Sequence, residues 1–175
     1  MPSTTLPSEG DEFRIRCDAP DAELTLRARP VRVRFTGDCT VRAGARETAD
    51  GITLELPSLA LKAELPDAGG AEDGGTIEVR LKDTEAKSIG HLRASSSQFD
   101  MLLVADIVAT VRQPGGTIEL GSAQPMRLWA HLDHFPPRGE HCRLGAPVDL
   151  VVPDSPEATV VQLQDLPLKV ETASG

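Results

Sequence analysis

Phe99-Asp100-Met101-Leu102-Leu103-Val104-Ala105-Asp106-Ile107-Val108-Ala109-Thr110-Val111-Arg112 reads in period two from end to end. Its odd positions, Phe99 to Val111, are all apolar. Its even positions are polar at the ends and apolar in the middle, around Val104 and Val108. Alternation of this kind sends successive side chains to opposite faces of a strand. One face is therefore buried along the whole run, and the other is covered near its centre. The run is far longer than the usual strand of about five or six residues. A long strand covered on both sides near its middle fits a highly coiled, barrel-like sheet. It also fits a strand that bends and serves both sheets of a sandwich.

The same period extends outward through the chain. Val31, Val33 and Phe35 alternate with Arg32 and Arg34. Ile52, Leu54 and Leu56 alternate with Thr53 and Glu55, and Leu59, Leu61 and Ala63 with Ala60 and Lys62. Ile77, Val79 and Leu81 alternate with Glu78 and Arg80, and Met126, Leu128, Ala130 and Leu132 with Arg127, Trp129, His131 and Asp133. Turn residues separate these runs, among them Pro20, Gly37, Gly51, Pro57, Gly69-Gly70, Gly74-Gly75 and Gly115-Gly116. Gly74-Gly75-Thr76-Ile77-Glu78-Val79 is echoed by Gly115-Gly116-Thr117-Ile118-Glu119-Leu120, as expected when hairpins reuse one turn chemistry. No stretch carries a helical stripe; 83–89 offers one short helical turn at most. The pattern predicts an all-β fold, a single-domain antiparallel β-barrel over residues 11–175 with almost no helix. A two-sheet β-sandwich is the alternative. Residues 1–10 read as a disordered lead-in.

Composition narrows the partners. The net charge of −9 opposes binding to a polyanion. Four Phe, one Trp and no Tyr leave few platforms for stacking bases. Nucleic acid is therefore not an expected partner. No run is long and apolar enough to span a membrane as a helix, and the first residues lack the basic and apolar regions of a signal peptide. Cys17, Cys39 and Cys142 form an odd set without CxxC spacing, which reads as reduced thiols in a cytoplasmic protein.

Chemistry-bearing residues concentrate in Trp129-Ala130-His131-Leu132-Asp133-His134-Phe135-Pro136-Pro137-Arg138-Gly139-Glu140-His141-Cys142. His131 and Asp133, two apart on one strand, share a face with Trp129. A carboxylate beside an imidazole orients it for acid–base work. Asp106, between Val104 and Val108, would be desolvated if that face were closed, and a desolvated carboxyl can serve as a general acid. His131-Leu132-Asp133-His134 resembles the last four positions of the metallo-β-lactamase metal motif. Trp129 stands where that motif begins with His, and the strand–helix alternation of that family is missing, so no metal is expected. Arg14, Arg16, Arg27, Arg29, Arg32 and Arg34 alternate on strands. They read as a solvated face paired with nearby acids, or as a grip for a carboxylate or phosphate. No phosphate loop, dinucleotide fingerprint or nucleophile elbow is present, so no cofactor is expected.

These readings point to a β-barrel that binds a small, largely apolar molecule. Catalysis, if any, would be a cofactor-free cyclisation or isomerisation. Asp106, His131 and Asp133 are the candidate catalytic groups, and Trp129, Val104 and Val108 the candidate binding wall. A carrier or sensor without catalysis is the alternative, as is a structural sandwich that dimerises through an exposed strand edge.

Overall fold

The computed structural model describes residues 5–66, 74–82, 89–95 and 97–173. These residues form thirteen strands and no helix. Three long strands come first: β1 (Glu12–Leu26), β2 (Arg29–Thr48) and β3 (Gly51–Glu64). Ten shorter ones follow: β4 (Thr76–Leu81), β5 (Ile89–Ala94), β6 (Phe99–Ala105), β7 (Ile107–Gln113), β8 (Gly116–Ser122), β9 (Met126–Leu132), β10 (Arg138–Leu144), β11 (Val148–Val152), β12 (Ser155–Asp165) and β13 (Leu168–Thr172). The turns expected at Gly69-Gly70 and over 83–88 lie outside the described residues.

All pairings are antiparallel, and the sheet closes on itself twice. One closure runs β1-β2-β3-β4-β7-β8-β11-β12 and returns to β1. The other runs β1-β2-β3-β5-β6-β9-β10-β13 and returns to β1. β1 to β3 are common to both. Leu24 to Leu26 of β1 pair with β12, whereas Ile15 to Asp18 pair with β13. Likewise Ala60 to Glu64 of β3 pair with β4, and Gly51 to Glu55 with β5. The two rings therefore sit one beyond the other along the shared strands, joined at a waist. Every described strand has a neighbour on both sides, so the free edge expected for a dimerising sandwich is not found among the described residues.

The residues explain the waist. Ile15, Cys17 and Ala19 are buried on β1, then the parity changes to Ala22, Leu24 and Leu26. The change falls at a bulge around Pro20, where the register slips between Ala19 and Ala22. β3 does the same: Ile52, Leu54 and Leu56 are buried, then Leu59, Leu61 and Ala63, with the slip around Pro57. A proline cannot donate to a ladder and is tolerated at a bulge, where the extra residue bends the strand. The two runs that read as separate strands, Ile52–Leu56 and Leu59–Ala63, are thus one strand with a bulge. β2 keeps its parity and places Gly37 at the middle of the crossing. A Cβ on Gly37 would lie 1.9 Å from the Ala60 carbonyl oxygen, so only glycine lets β2 and β3 approach this closely.

The decisive stretch behaves as a bent strand. Its odd residues are all buried, as the period requires. At Asp106 the ladder breaks, and the chain passes from β6 in one ring to β7 in the other. The Asp106 carbonyl accepts a hydrogen bond from the Lys82 N–H at 3.0 Å. Beyond β4 the chain continues to alternate between the rings, two strands at a time.

One continuous apolar core fills both rings, from Leu24, Phe35 and Ile77 in one to Leu54, Phe99 and Leu132 in the other. Eight strands enclose a space that side chains just fill, and Leu, Ile, Val and Phe occupy it here. The lead-in is described from Thr5 onward. There Leu6 packs on the core, and the Gly10 N–H donates to the Ala43 carbonyl at 2.8 Å. The described residues hold no helix long and apolar enough to cross a membrane.

Candidate functional site

The residues picked out from sequence are not gathered at one place. Asp106 sits at the β6–β7 break with its side chain exposed. Val104 and Val108 share its outward parity and are half-buried on the outer surface, opposite Arg127 and Arg80. The closed apolar surroundings expected for Asp106 are therefore on the other face of the sheet. His131 is also outward and exposed. Its Nδ1 is hydrogen-bonded to Asp100, its cross-strand partner on β6, and not to Asp133. Asp133 accepts a hydrogen bond from Gln98 Nε2 at 3.1 Å instead. Across the strand gap, directly opposed side chains are nearer than i, i+2 neighbours, which is why Asp100 wins. Asp106 lies six residues along the chain from Asp100, about 20 Å at the usual rise per residue. Asp106 and His131 are too far apart to act on one small substrate. Trp129 is half-exposed on the same outer surface, opposite Leu102 and Arg143.

The histidine-rich connection is held by Glu140, a largely buried carboxylate. It accepts hydrogen bonds from the N–H groups of His134 at 2.9 Å and Arg138 at 2.6 Å. Phe135 turns inward against Phe13 and Phe99, with centroids 5.2 and 6.2 Å away. Cys142 points into the core while His141 is exposed, so those two diverge. Among the described residues no group of three or more His, Cys, Asp or Glu is placed to hold a metal ion.

The site that does assemble is on the outer face of the waist. There β13, β1 and β2 lie side by side and enclose a groove of about 610 Å³, open to solvent. That volume is within the usual range for small-molecule sites, about 300–1,000 Å³. Inward Ile15 and Cys17 leave Arg14, Arg16 and Asp18 pointing outward on β1. β2 contributes Arg34, Thr36, Gly37 and Asp38, and β13 contributes Lys169 and Glu171. Arg34 grips Asp18 with two hydrogen bonds of 3.0 and 3.1 Å. Arg14 donates to Asp38 at 2.7 Å. In each pair the hydrogen bond first, and the carboxylate charge second, hold the guanidinium above its ordinary pKa. The side chains of Arg16, Lys169 and Glu171 take no hydrogen bond or ion pair among the described residues.

Cys17, Cys39 and Cys142 are buried beneath this part of the sheet. Cys17 and Cys39 have their sulfurs 3.9 Å apart, and neither they nor Cys142 form a disulfide. The contact with Cys17, then burial, pushes the Cys39 thiol well up. Burial pushes Cys142 up to about 12. A protonated, buried thiol is a poor nucleophile. Asp18 and Asp38 at the groove are each held by an arginine.

The arginine set on β1 and β2 is readable from sequence, mostly as a solvated face paired with acids. The pairs Arg14–Asp38, Arg32–Glu23 and Arg34–Asp18 bear that out. Gly37, Lys169 and Glu171 are not readable as part of a site. Leu168-Lys169-Val170-Glu171 is a short alternating run, and nothing in it says that β13 lies beside β1.

The geometry defines a class: an all-strand antiparallel fold closed into rings, barrel-like, with a groove lined by charged residues across its waist. No family model matches the sequence, and no curated protein matches it. A solved structure of like fold is that of DynF from the dynemicin biosynthesis pathway of Micromonospora chersina. It superposes with a TM-score of 0.68 at 16% identity, covering 94% of this chain and 81% of DynF. At that identity the likeness is one of fold.

Proposed function

We propose that this chain is a small-molecule-binding β-barrel of a biosynthetic pathway, with its ligand seated in the groove at the waist. The observation that carries the reading is the groove itself. It combines ligand-sized volume, two arginines fixed by carboxylates, and a pair of cations with no partner among the described residues. The fold shared with DynF, a protein of a biosynthesis pathway, supports the setting. Binding without catalysis is the reading that the groove favours, since its aspartates are tied to arginines and the Cys39 and Cys142 thiols beneath it are held above their ordinary pKa. The largely apolar ligand expected from sequence fits in a modified form: the rings are filled by side chains, so a ligand is taken on the outer face, over polar side chains. A cyclase or isomerase built on Asp106, His131 and Asp133 would need those groups to converge, and Asp106 lies on a stretch of the outer surface away from His131 and Asp133.

Amide chemical-shift mapping tests this with a panel of small aromatic acids. Shifts concentrated at 14–18, 36–38 and 169–171 support the groove. Shifts concentrated at the inward positions of β6 and β9, such as Met101 and Leu128, would instead place the ligand inside the barrel and exclude the groove.

A further inference from the structure

We infer that the groove selects an anion, a carboxylate or phosphate group carried on a flat molecule, and that Arg16 and Lys169 hold it together. The inference rests on the reading that this groove is the binding site.

The chain as a whole is acidic, with a net charge of −9. The groove runs the other way. Arg14, Arg16, Arg34 and Lys169 face Asp18, Asp38 and Glu171 there. Asp18 and Asp38 are already engaged by Arg34 and Arg14. Two lining cations remain, Arg16 and Lys169, against one carboxylate, Glu171. A region kept locally cationic within an acidic chain attracts an anion and repels a cation.

The register places the two cations for joint use. Arg16 is directly opposite Glu171, and Asp18 is opposite Lys169. Arg16 and Lys169 are therefore diagonal neighbours on one face of adjacent antiparallel strands. Diagonal neighbours are separated by roughly 7–8 Å between backbones, within reach of two long side chains meeting at one group. Arg16 offers a fork that matches two oxygens of a carboxylate or phosphate, and Lys169 adds a mobile charge.

The flat frame follows from the fixed arginines. Bidentate pairing with Asp18 holds the Arg34 guanidinium in one plane, and a guanidinium plane stacks on an aromatic face. Gly37 lines the same groove with its backbone, since the parity of β2 gives it the inward side with Phe35 and Cys39. Two acids lie directly across from Arg16, Asp38 on β2 and Glu171 on β13. Asp38 is engaged by Arg14, so Glu171 is the internal competitor whose influence a bound anion must overcome.

The test is calorimetric titration of the full chain with three probes: 2-naphthoate, its neutral isostere 2-naphthamide, and inorganic phosphate. Naphthoate is expected to bind at least about tenfold more tightly than naphthamide, and to weaken as salt is raised. R16Q and K169Q should each weaken naphthoate about tenfold, the scale of one charged hydrogen bond, and weaken naphthamide, which carries no charge, by clearly less. E171Q should tighten naphthoate. All three side chains are outward, and unchanged melting curves would show that the fold is intact. Phosphate binding that is equally sensitive to R16Q would assign the anion site to phosphate-bearing ligands. Equal binding of naphthoate and naphthamide would overturn anion selection while leaving the groove as a site. Preference for naphthoate untouched by R16Q and K169Q would overturn the residue assignment. Failure of all three probes to bind would overturn the inference and the groove reading together.

Discussion

Replacing Gly37 with alanine should damage the fold out of proportion to the one carbon added. The new Cβ would sit 1.9 Å from the Ala60 carbonyl oxygen and 2.9 Å from its carbon, inside the 3.0 Å that Cβ atoms respect. Both obstructing atoms are backbone, in a ladder where Gly37 pairs with Cys17 on one side and Leu61 on the other. Neither neighbour can swing aside as a side-chain tip would. Overpacking costs about 1–3 kcal/mol where side chains give. A backbone clash at the waist belongs at the top of that range, about 3 kcal/mol. For a domain of this size each kcal/mol moves Tm by roughly 2–4 °C, so a drop of about 6–12 °C is expected. Gly121→Ala is the control. Gly121 lies in β8 with nothing within 4 Å of its added Cβ. There alanine should be neutral or stabilise by about 0.5 kcal/mol through the unfolded chain. Thermal melts of the two variants beside wild type suffice. If Gly37→Ala melts like Gly121→Ala, the close crossing of β2 and β3 is wrong, and the groove floor with it.

Ala28→Gly should stabilise by about 1 kcal/mol in urea unfolding, because Ala28 holds φ at 65° in the two-residue turn between β1 and β2. Phe99→Ala should cost about 3–5 kcal/mol by the same assay, since Phe99 is fully buried and packs on Phe135. Asp106→Asn should change stability by no more than about 0.5 kcal/mol, as its side chain is exposed at a strand break; a larger gain would show a closed environment. Cys142 predicts a loss at high pH. Its folded pKa of about 12 lies above the ordinary 9.0, so its neutral form favours the folded state. That contribution is complete below pH 9.0 and is lost as pH rises toward about 12. A Cys142→Ala variant should show a shallower decline over that interval, and a parallel decline would count against burial of this thiol.

Local alternation makes the strands legible: every residue that the period marks in Phe99–Val111, Ile77–Leu81 and Met126–Leu132 is buried, and Thr110, on the other face, is buried besides. Alternation reports which face is buried, not which strands meet. That is why Pro57 reads as a boundary when it is a bulge inside β3, and why the strand through Asp106 reads as unbroken. The same gap explains the site. His131 and Asp133 share a face, but the partner of His131 is Asp100 of β6, 31 residues earlier in the chain and visible only in the register. Arg16 belongs to the arginine set that the sequence shows. What makes it a binding group is the neighbour supplied by β13 from the far end of the chain, a pairing of long sequence separation.

A ligand that lies across the outside of the waist, and not within the barrel, is seen most directly in a crystal structure of the chain soaked with 2-naphthoate. Ring density is expected over Gly37, between β13 and β2, with the carboxylate within hydrogen-bond reach of both Arg16 and Lys169. Density enclosed among Leu54, Met101 and Leu132, with those side chains displaced, would contradict it.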